Sequence, residues 1–368
     1  MLKKIVLILL LTFSLFATEV TKDQNSSKTY ELEIRGVKHL DKEDIAKSLG
    51  VKENSLFNFW SREKALPQEF VENLDTTLKG YLESKGYFDA KYTISRTADR
   101  ILINISEGEP IRVSKVLFES DIELGNLISW KEGDIFATER FEKIKDATAT
   151  KLLQDGYCKA ELSTKAYVDL AQHSAKLEYK IKKGKVCLFA KATIVHKPDD
   201  VSDDVILSRV KYHEGERFDI RKIEQSYNSL NALGVFANIQ IKDNILEKRE
   251  SVETKISLDA KEKLRQYMFS LGYVTDLGIR AKGSWEKRNF LGGAKKIKFI
   301  TELSRNRQTL DATLFVPAFF TMDSIYSDLY VVFGALKEEK SAYKEKKLFL
   351  KSYIETHYSD FSLKKGIG

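Results

Sequence analysis

From Leu277 to its last residues the chain alternates apolar and polar side chains, run after run, with no helical pattern between the runs. Within the stretch Gly272 to Gly293, residues Leu277, Ile279, Ala281 and Trp285 fall on one face. Arg280, Lys282, Ser284 and Glu286 fall on the other, a period of two. The pattern returns at Ile297, Phe299, Thr301 and Leu303 against Lys296, Lys298 and Glu302, then at Leu310, Ala312, Leu314 and Val316 against Thr309, Asp311 and Thr313. It returns again at Leu348, Leu350, Ile354 and Tyr358 against Lys347, Lys351, Glu355 and His357. Charge on every polar face excludes a dry interior on that side. Such a run suits a barrel wall with lipid outside and water inside, or a soluble sheet with one wet face.

The N-terminus weighs on that choice. Lys3 and Lys4 precede an unbroken apolar run from Ile5 to Phe16, then Ala17 and a polar stretch, the layout of a secretory signal peptide over residues 1–18. The run is too short to span a bilayer as a helix, and no later segment is long and apolar enough, so membrane insertion has to use strands. The formal charge of +7 is spread among interleaved lysines and glutamates and forms no basic stripe, which argues against a nucleic-acid partner. Cys158 and Cys187 match no metal spacing. If the strands beside them pair antiparallel, the two approach each other, and an oxidising compartment would let them bond.

Between leader and alternating region, one order of elements recurs three times: a short strand, two helices with the second ending at a glycine, then two strands. In the first copy (residues 28–108) Tyr30, Leu32 and Ile34 mark the opening strand, Asp41 caps a helix, and Phe70, Leu74, Leu78 and Leu82 line a second helix closed by Gly86. In the second (109–184) the helix carries Phe141, Ile144, Thr148 and Leu152 before Gly156. In the third (185–260) Asp219 caps a helix with Ile223, Tyr227, Leu230 and Leu233, ended by Gly234. Those glycines lie 70 and then 78 residues apart, a domain-scale repeat. Glu132-Gly-Asp-Ile-Phe136 is echoed by Glu214-Gly-Glu-Arg-Phe218. The connections between copies are short, which predicts a semi-rigid rod.

A leader, tandem β-α-α-β-β modules and then amphipathic strands resemble the Omp85 superfamily of outer-membrane assembly proteins. The copies are similar to its periplasmic polypeptide-transport-associated (POTRA) domains, and residues 262–368 to the first strands of its barrel. Three modules, with Gly272-Tyr-Val-Thr-Asp-Leu-Gly278, Asn289-Phe-Leu-Gly292 and Gln308 to Pro317, resemble the TamA-like translocation and assembly branch most. The general barrel-assembly (BamA-like) branch is the second choice. The resemblance implies an α+β periplasmic part and a transmembrane antiparallel β-barrel in the cell outer membrane. Its implied partners are unfolded outer-membrane or autotransported polypeptides, outer-membrane lipid and an inner-membrane-anchored TamB-like protein.

The resemblance also implies a lateral gate, with Leu264, Tyr267, Phe269, Gly272 and Tyr273 on its first strand. Gly272 reads as a bend in preference to part of the seam. Residues 262–368 allow about five or six strands of roughly ten residues each, fewer than the family barrel. The chain lacks the terminal aromatic and the Arg-Gly-Phe lumen motif of the family, so a truncated barrel is expected, and with it the alternative of a periplasmic binding module without transport activity. No enzyme is read, because the histidines are scattered, and no cofactor is expected.

Overall fold

The computed structural model describes residues 28–51, 65–124, 127–246, 249–275, 278–322, 325–340, 343–358 and 361–368. The leader expected at 1–18 and Leu277 lie outside them. No described helix is long and apolar enough to cross a membrane. Packing divides the chain into two compact units, one holding the first copy and much of the second, the other the third copy and the alternating strands.

In the first unit, β1 (Thr29–Arg35) buries Tyr30, Leu32 and Ile34, every second residue, and leaves their neighbours out. Helix α1 (Lys42–Ser48) starts where the Asp41 carboxylate accepts from the amides of Glu43 and Asp44 at 2.6 and 3.1 Å. After β2 (Ala65–Pro67) and the single turn α2 (Gln68–Val71), helix α3 (Leu74–Ser84) lays Leu74, Leu78 and Leu82 into the core. Phe70, expected on that same face, belongs to α2 and is exposed. Strands β3 (Lys91–Arg96) and β4 (Arg100–Ser106) complete a sheet ordered β2-β1-β4-β3, in which β1 runs parallel to β4.

The second copy has β5 (Arg112–Ser120), α4 (Thr138–Gln154), β6 (Glu161–Asp169) and β7 (Ser174–Lys182), with sheet order β5-β7-β6. Two helices were expected, and α4 is the one helix among its described residues. At the end of β5, the Ser120 hydroxyl donates to the Ile122 carbonyl and accepts from the Ile122 amide, a local closure that competes with helix formation. Trp130 then fills the core and donates its indole N–H to the Tyr179 hydroxyl at 2.9 Å.

In the second unit, β8 (Leu188–Phe189) and β9 (Thr193–His196) run parallel to β11 (Ser251–Ala260), which pairs with β10 (Phe236–Leu246). Helix α5 (Asp203–Leu207) is capped by Ser202, and α6 (Ile220–Leu233) by Asp219. On α6 the buried set is Ile223, Ser226, Leu230 and Leu233, while Tyr227 is exposed. A small serine fits that turn because its hydroxyl is satisfied twice, donating to the Lys222 carbonyl and accepting from the Lys211 amide.

Seven antiparallel strands follow in sequence order: β12 (Arg265–Val274), β13 (Gly278–Arg288), β14 (Lys296–Leu303), β15 (Arg307–Met322), β16 (Ile325–Lys340), β17 (Tyr343–His357) and β18 (Ser362–Ile367). Seven replaces the expected five or six, because the connections are short, as between β15 and β16 and between β16 and β17, and leave nearly the whole stretch to strands. Register merges the alternation of single strands into two faces. One row reads Tyr267, Trp285, Phe299, Ala312, Phe333 and Leu350 across six strands. The neighbouring row on the other face reads Gln266, Glu286, Lys298, Thr313, Val332 and Lys351. A continuous apolar face is what lipid requires of a barrel's outside.

Candidate functional site

Strand β12 has one strand neighbour, β13, and its other edge has no strand partner among the described residues. Tyr267, Phe269, Leu271 and Tyr273 project from it on the apolar face, each more than two-thirds exposed. An open edge offers unpaired backbone donors and acceptors, and an extended chain can join it by main-chain hydrogen bonds with little demand on sequence. The five residues expected on this strand divide. Tyr267, Phe269, Gly272 and Tyr273 lie on β12. Leu264 precedes it, accepts from the Arg288 amide at 2.8 Å and packs against the third copy's core.

Gly272 is not a bend. It pairs with Arg280 in unbroken register, and a Cβ there would meet nothing within 4 Å. What bends the sheet lies elsewhere, in β15, where register shifts between Val316 and Phe320 and Ala318 takes a φ of 49°. The Ala318 amide freed there donates to Asp328 at 2.8 Å.

Asp328, on the polar face of β16, is the centre of the contact between the third copy and the sheet. Arg209, just past α5, reaches it through two hydrogen bonds of 2.6 and 3.0 Å, and both side chains are almost fully buried. The guanidinium lies 4.6 Å from the Tyr326 ring centroid, Lys211 donates to the Tyr326 hydroxyl at 3.0 Å, and His357 stacks on the same ring. Burial works against the Arg209 charge, and Asp328 more than offsets it, so the guanidinium holds its proton more firmly than usual. A second fastener joins the Asp200 carbonyl to the Gly293 amide at 2.6 Å, and the Asn289 side chain to the Asp200 carboxylate. Alternation had put His357 on a polar face, and periodicity gave no signal for Arg209, Lys211, Asp200, Tyr326 or Asp328.

The helix-end glycines share a conformation, and two of them share a role. Gly86, Gly156 and Gly234 all take a positive φ, at 93°, 83° and 69°. The Gly86 carbonyl accepts from the Ile111 amide, and the Ile111 carbonyl accepts from the Phe136 amide, at 2.9 and 2.8 Å. In the second unit the Gly156 carbonyl accepts from Cys187, whose carbonyl accepts from Phe218, at 2.8 and 2.9 Å. The recurring Gly-x-x-Phe of the two echoed segments is thus the receiving half of a backbone fastener. Cys158 and Cys187 are bonded, with Cα atoms 5.9 Å apart. They occupy the places that Phe88 and Ile111 hold, two residues past a helix-end glycine and in the following connection.

The arrangement can receive, align and hold polypeptide backbone. Among the described residues, no group of three or more His, Cys, Asp or Glu side chains could hold a metal ion.

The family POTRA, described as surface antigen variable number repeat, matches residues 30–108 and 111–184. The outer membrane protein assembly factor BamA of Nitratidesulfovibrio vulgaris is 22% identical over 297 residues, covering 75% of this chain and 37% of the relative. BamA of Neisseria meningitidis serogroup B is 21% identical over 341 residues, covering 88% and 42%. The chain therefore spans about two-fifths of the length of these relatives. Among solved structures, BamA from Haemophilus ducreyi lacking POTRA domains 1–3 aligns with a TM-score of 0.48 and 14% identity, over 67% of this chain and 47% of that one. CdiB from Escherichia coli aligns with a TM-score of 0.33 and 13% identity, over 87% and 56%.

Proposed function

The chain belongs to the Omp85 superfamily, and from that premise we propose that it serves in outer-membrane protein assembly or translocation, receiving unfolded polypeptide on the edge of β12 away from β13. The observation that carries this reading is that strand: rich in exposed aromatics, paired on one side only among the described residues, at the start of a sheet whose apolar face is continuous through six strands. Its modules lie in the periplasm and its strands in the outer membrane. Client strands add to β12 by backbone pairing, and the modules deliver them by edge-strand addition. Unfolded outer-membrane or autotransported polypeptides are the clients, and a TamB-like inner-membrane-anchored protein is the partner on the periplasmic side.

The test uses assembly of a reporter outer-membrane protein in liposomes carrying the chain together with whatever completes its barrel. Proline at Phe269 removes a main-chain donor, whereas alanine removes only a ring. Phe269→Pro is expected to lower insertion far more than Phe269→Ala. Equal activity of the two variants rejects the gate. A loss as severe from Lys79→Glu, on the exposed side of α3, would point to charge-based docking instead.

A further inference from the structure

The apolar face holds a groove of about 720 Å³ across β14 to β17. Two adjacent register rows line it. The inner row is Thr301, Leu310, Ala335 and Leu348; the outer row is Leu303, Gln308, Lys337 and Lys346. The small Ala335 side chain between Leu310 and Leu348 leaves the depression.

Lys337 and Lys346 stand directly opposite each other on neighbouring strands, an arrangement that repels. The next row outward answers the same problem with opposite charges, Glu339 bonded to Lys344. Among the described residues, Lys337 and Lys346 have no ion-pair or hydrogen-bond partner, while the next lysine, Lys347, pairs with Leu336 on the other face. Glu339, already bonded to Lys344, is the carboxylate that also feels Lys337, so the two facing lysines leave a surplus of positive charge at the end of an apolar trough, complementary to an anionic head on an apolar chain.

Position along the strands sets the depth of this site. The third copy's core meets the sheet at Phe315 and Ala318, and Gln308 lies seven residues away along β15, roughly 20 Å at strand rise. The apolar band of a barrel is about 25 Å tall. The lysine pair therefore sits at headgroup level on the side away from the modules, with the leucines at acyl-chain depth. We infer that this groove binds a membrane lipid whose headgroup presents a phosphate monoester, the phosphate between Lys337 and Lys346 and an acyl chain along Leu303, Leu310, Ala335 and Leu348. The inference rests on the reading of this face as membrane-exposed.

The probe is phosphatidic acid, as a minor fraction in phosphatidylcholine vesicles holding the full chain, with lipid retained after detergent extraction as the readout. Electrostatic attraction of about 1 kcal/mol per basic residue near a membrane surface predicts a drop of roughly tenfold or more in retained phosphatidic acid for the variant Lys337→Gln with Lys346→Gln. Phosphatidylcholine retention should not change. The variant Lys337→Arg with Lys346→Arg should retain phosphatidic acid as the parent does, as should Lys351→Gln on the other face. Equal retention by parent and double-glutamine variant overturns the site, and so does retention abolished by inorganic phosphate alone, which would mean an anion site indifferent to the chain. If the chain fails to float with the vesicles at all, the membrane reading falls and the groove with it.

Discussion

Arg209 and Asp328, separated by 119 residues in sequence, meet through two parallel hydrogen bonds with neither side chain open to solvent. Because both charges are buried, the variants should rank by what they leave unpaired. Asp328→Ala strands a buried guanidinium and should cost about 3–5 kcal/mol, read by chemical denaturation in detergent. Replacing both, as Arg209→Met with Asp328→Leu, should recover most of that loss. If the double replacement is as damaging as the single one, the pair holds the third copy to the sheet through specific geometry and not merely through mutual neutralisation.

The two glycine fasteners should respond unequally to alanine. At Gly86 a Cβ would run into the Phe136 carbonyl oxygen, and φ is 93°. At Gly156 the nearest atom is Nε of the flexible Arg217 side chain at 2.8 Å, with the Phe218 carbonyl oxygen at 3.1 Å. Gly86→Ala should therefore cost about 3 kcal/mol and Gly156→Ala about 1.5 kcal/mol, in urea unfolding of residues 28–260. That fragment is expected to be soluble, whereas residues 262–368 should require detergent. The opposite order for the two glycines would remove steric collision as the cause.

Glu107 gives the first copy an acid-sensitive lock. Burial presses its carboxyl pKa upward, but amide bonds from Leu40, His39 and Lys38, at 2.8 to 3.1 Å, and the His39 ring outweigh it, leaving the folded value below the usual 4.5. A depressed carboxylate stabilises the fold above its unfolded pKa and loses that contribution as pH falls through the folded value. Stability of the first copy should decline below about pH 4.5 in the parent protein and be flatter there in Glu107→Gln. The glutamine variant should also be weaker by about 1–3 kcal/mol at neutral pH, since its amide group faces donors. Parallel pH curves for the two proteins would reject the assignment.

Reducing the Cys158–Cys187 bond should destabilise the third copy by about 3 kcal/mol, because the bridge closes a segment with a sequence separation of 29 residues and both sulfurs belong to a core with Phe189, Tyr212 and Phe218. Unfolding with and without a dithiol reductant measures it. An unchanged midpoint, with free thiols confirmed, contradicts a stabilising role.

The repeated modules were legible because each writes its order locally: an apolar helix face, a glycine that can take positive φ, then alternation. Leu74, Leu78, Leu82 and Leu230 are buried as that pattern requires. Periodicity failed where a polar side chain could satisfy itself inside, as Ser226 does in place of Tyr227. Alternation assigned residues to the two faces of the strands but could not align one strand with the next. The rows that place Lys337 against Lys346, and the bulge that frees Ala318 for Asp328, depend on register, and register is a property of pairs. Likewise Gly272 read as a bend because isolated glycines in strands often mark one; here regular pairing with Arg280 prevails.

In the fasteners at Gly86 and Gly156, donors and acceptors are all main-chain groups, and the one residue type they demand is a glycine at the helix end. A duplicated stretch of sequence that runs from one such glycine to the next therefore carries a complete socket and a complete plug, whatever its surface has become. Module number can change by duplication or deletion with this backbone connection kept, while the side chains that meet at the joints, such as Lys85 with Glu139 and Arg217 with the Asp155 carbonyl, change separately. Between Gly86 and Gly156 the two fasteners share almost no side-chain chemistry, Ile111 in one and the bonded Cys187 in the other. Lineages could thus have altered each joint independently while the backbone connection stayed the same.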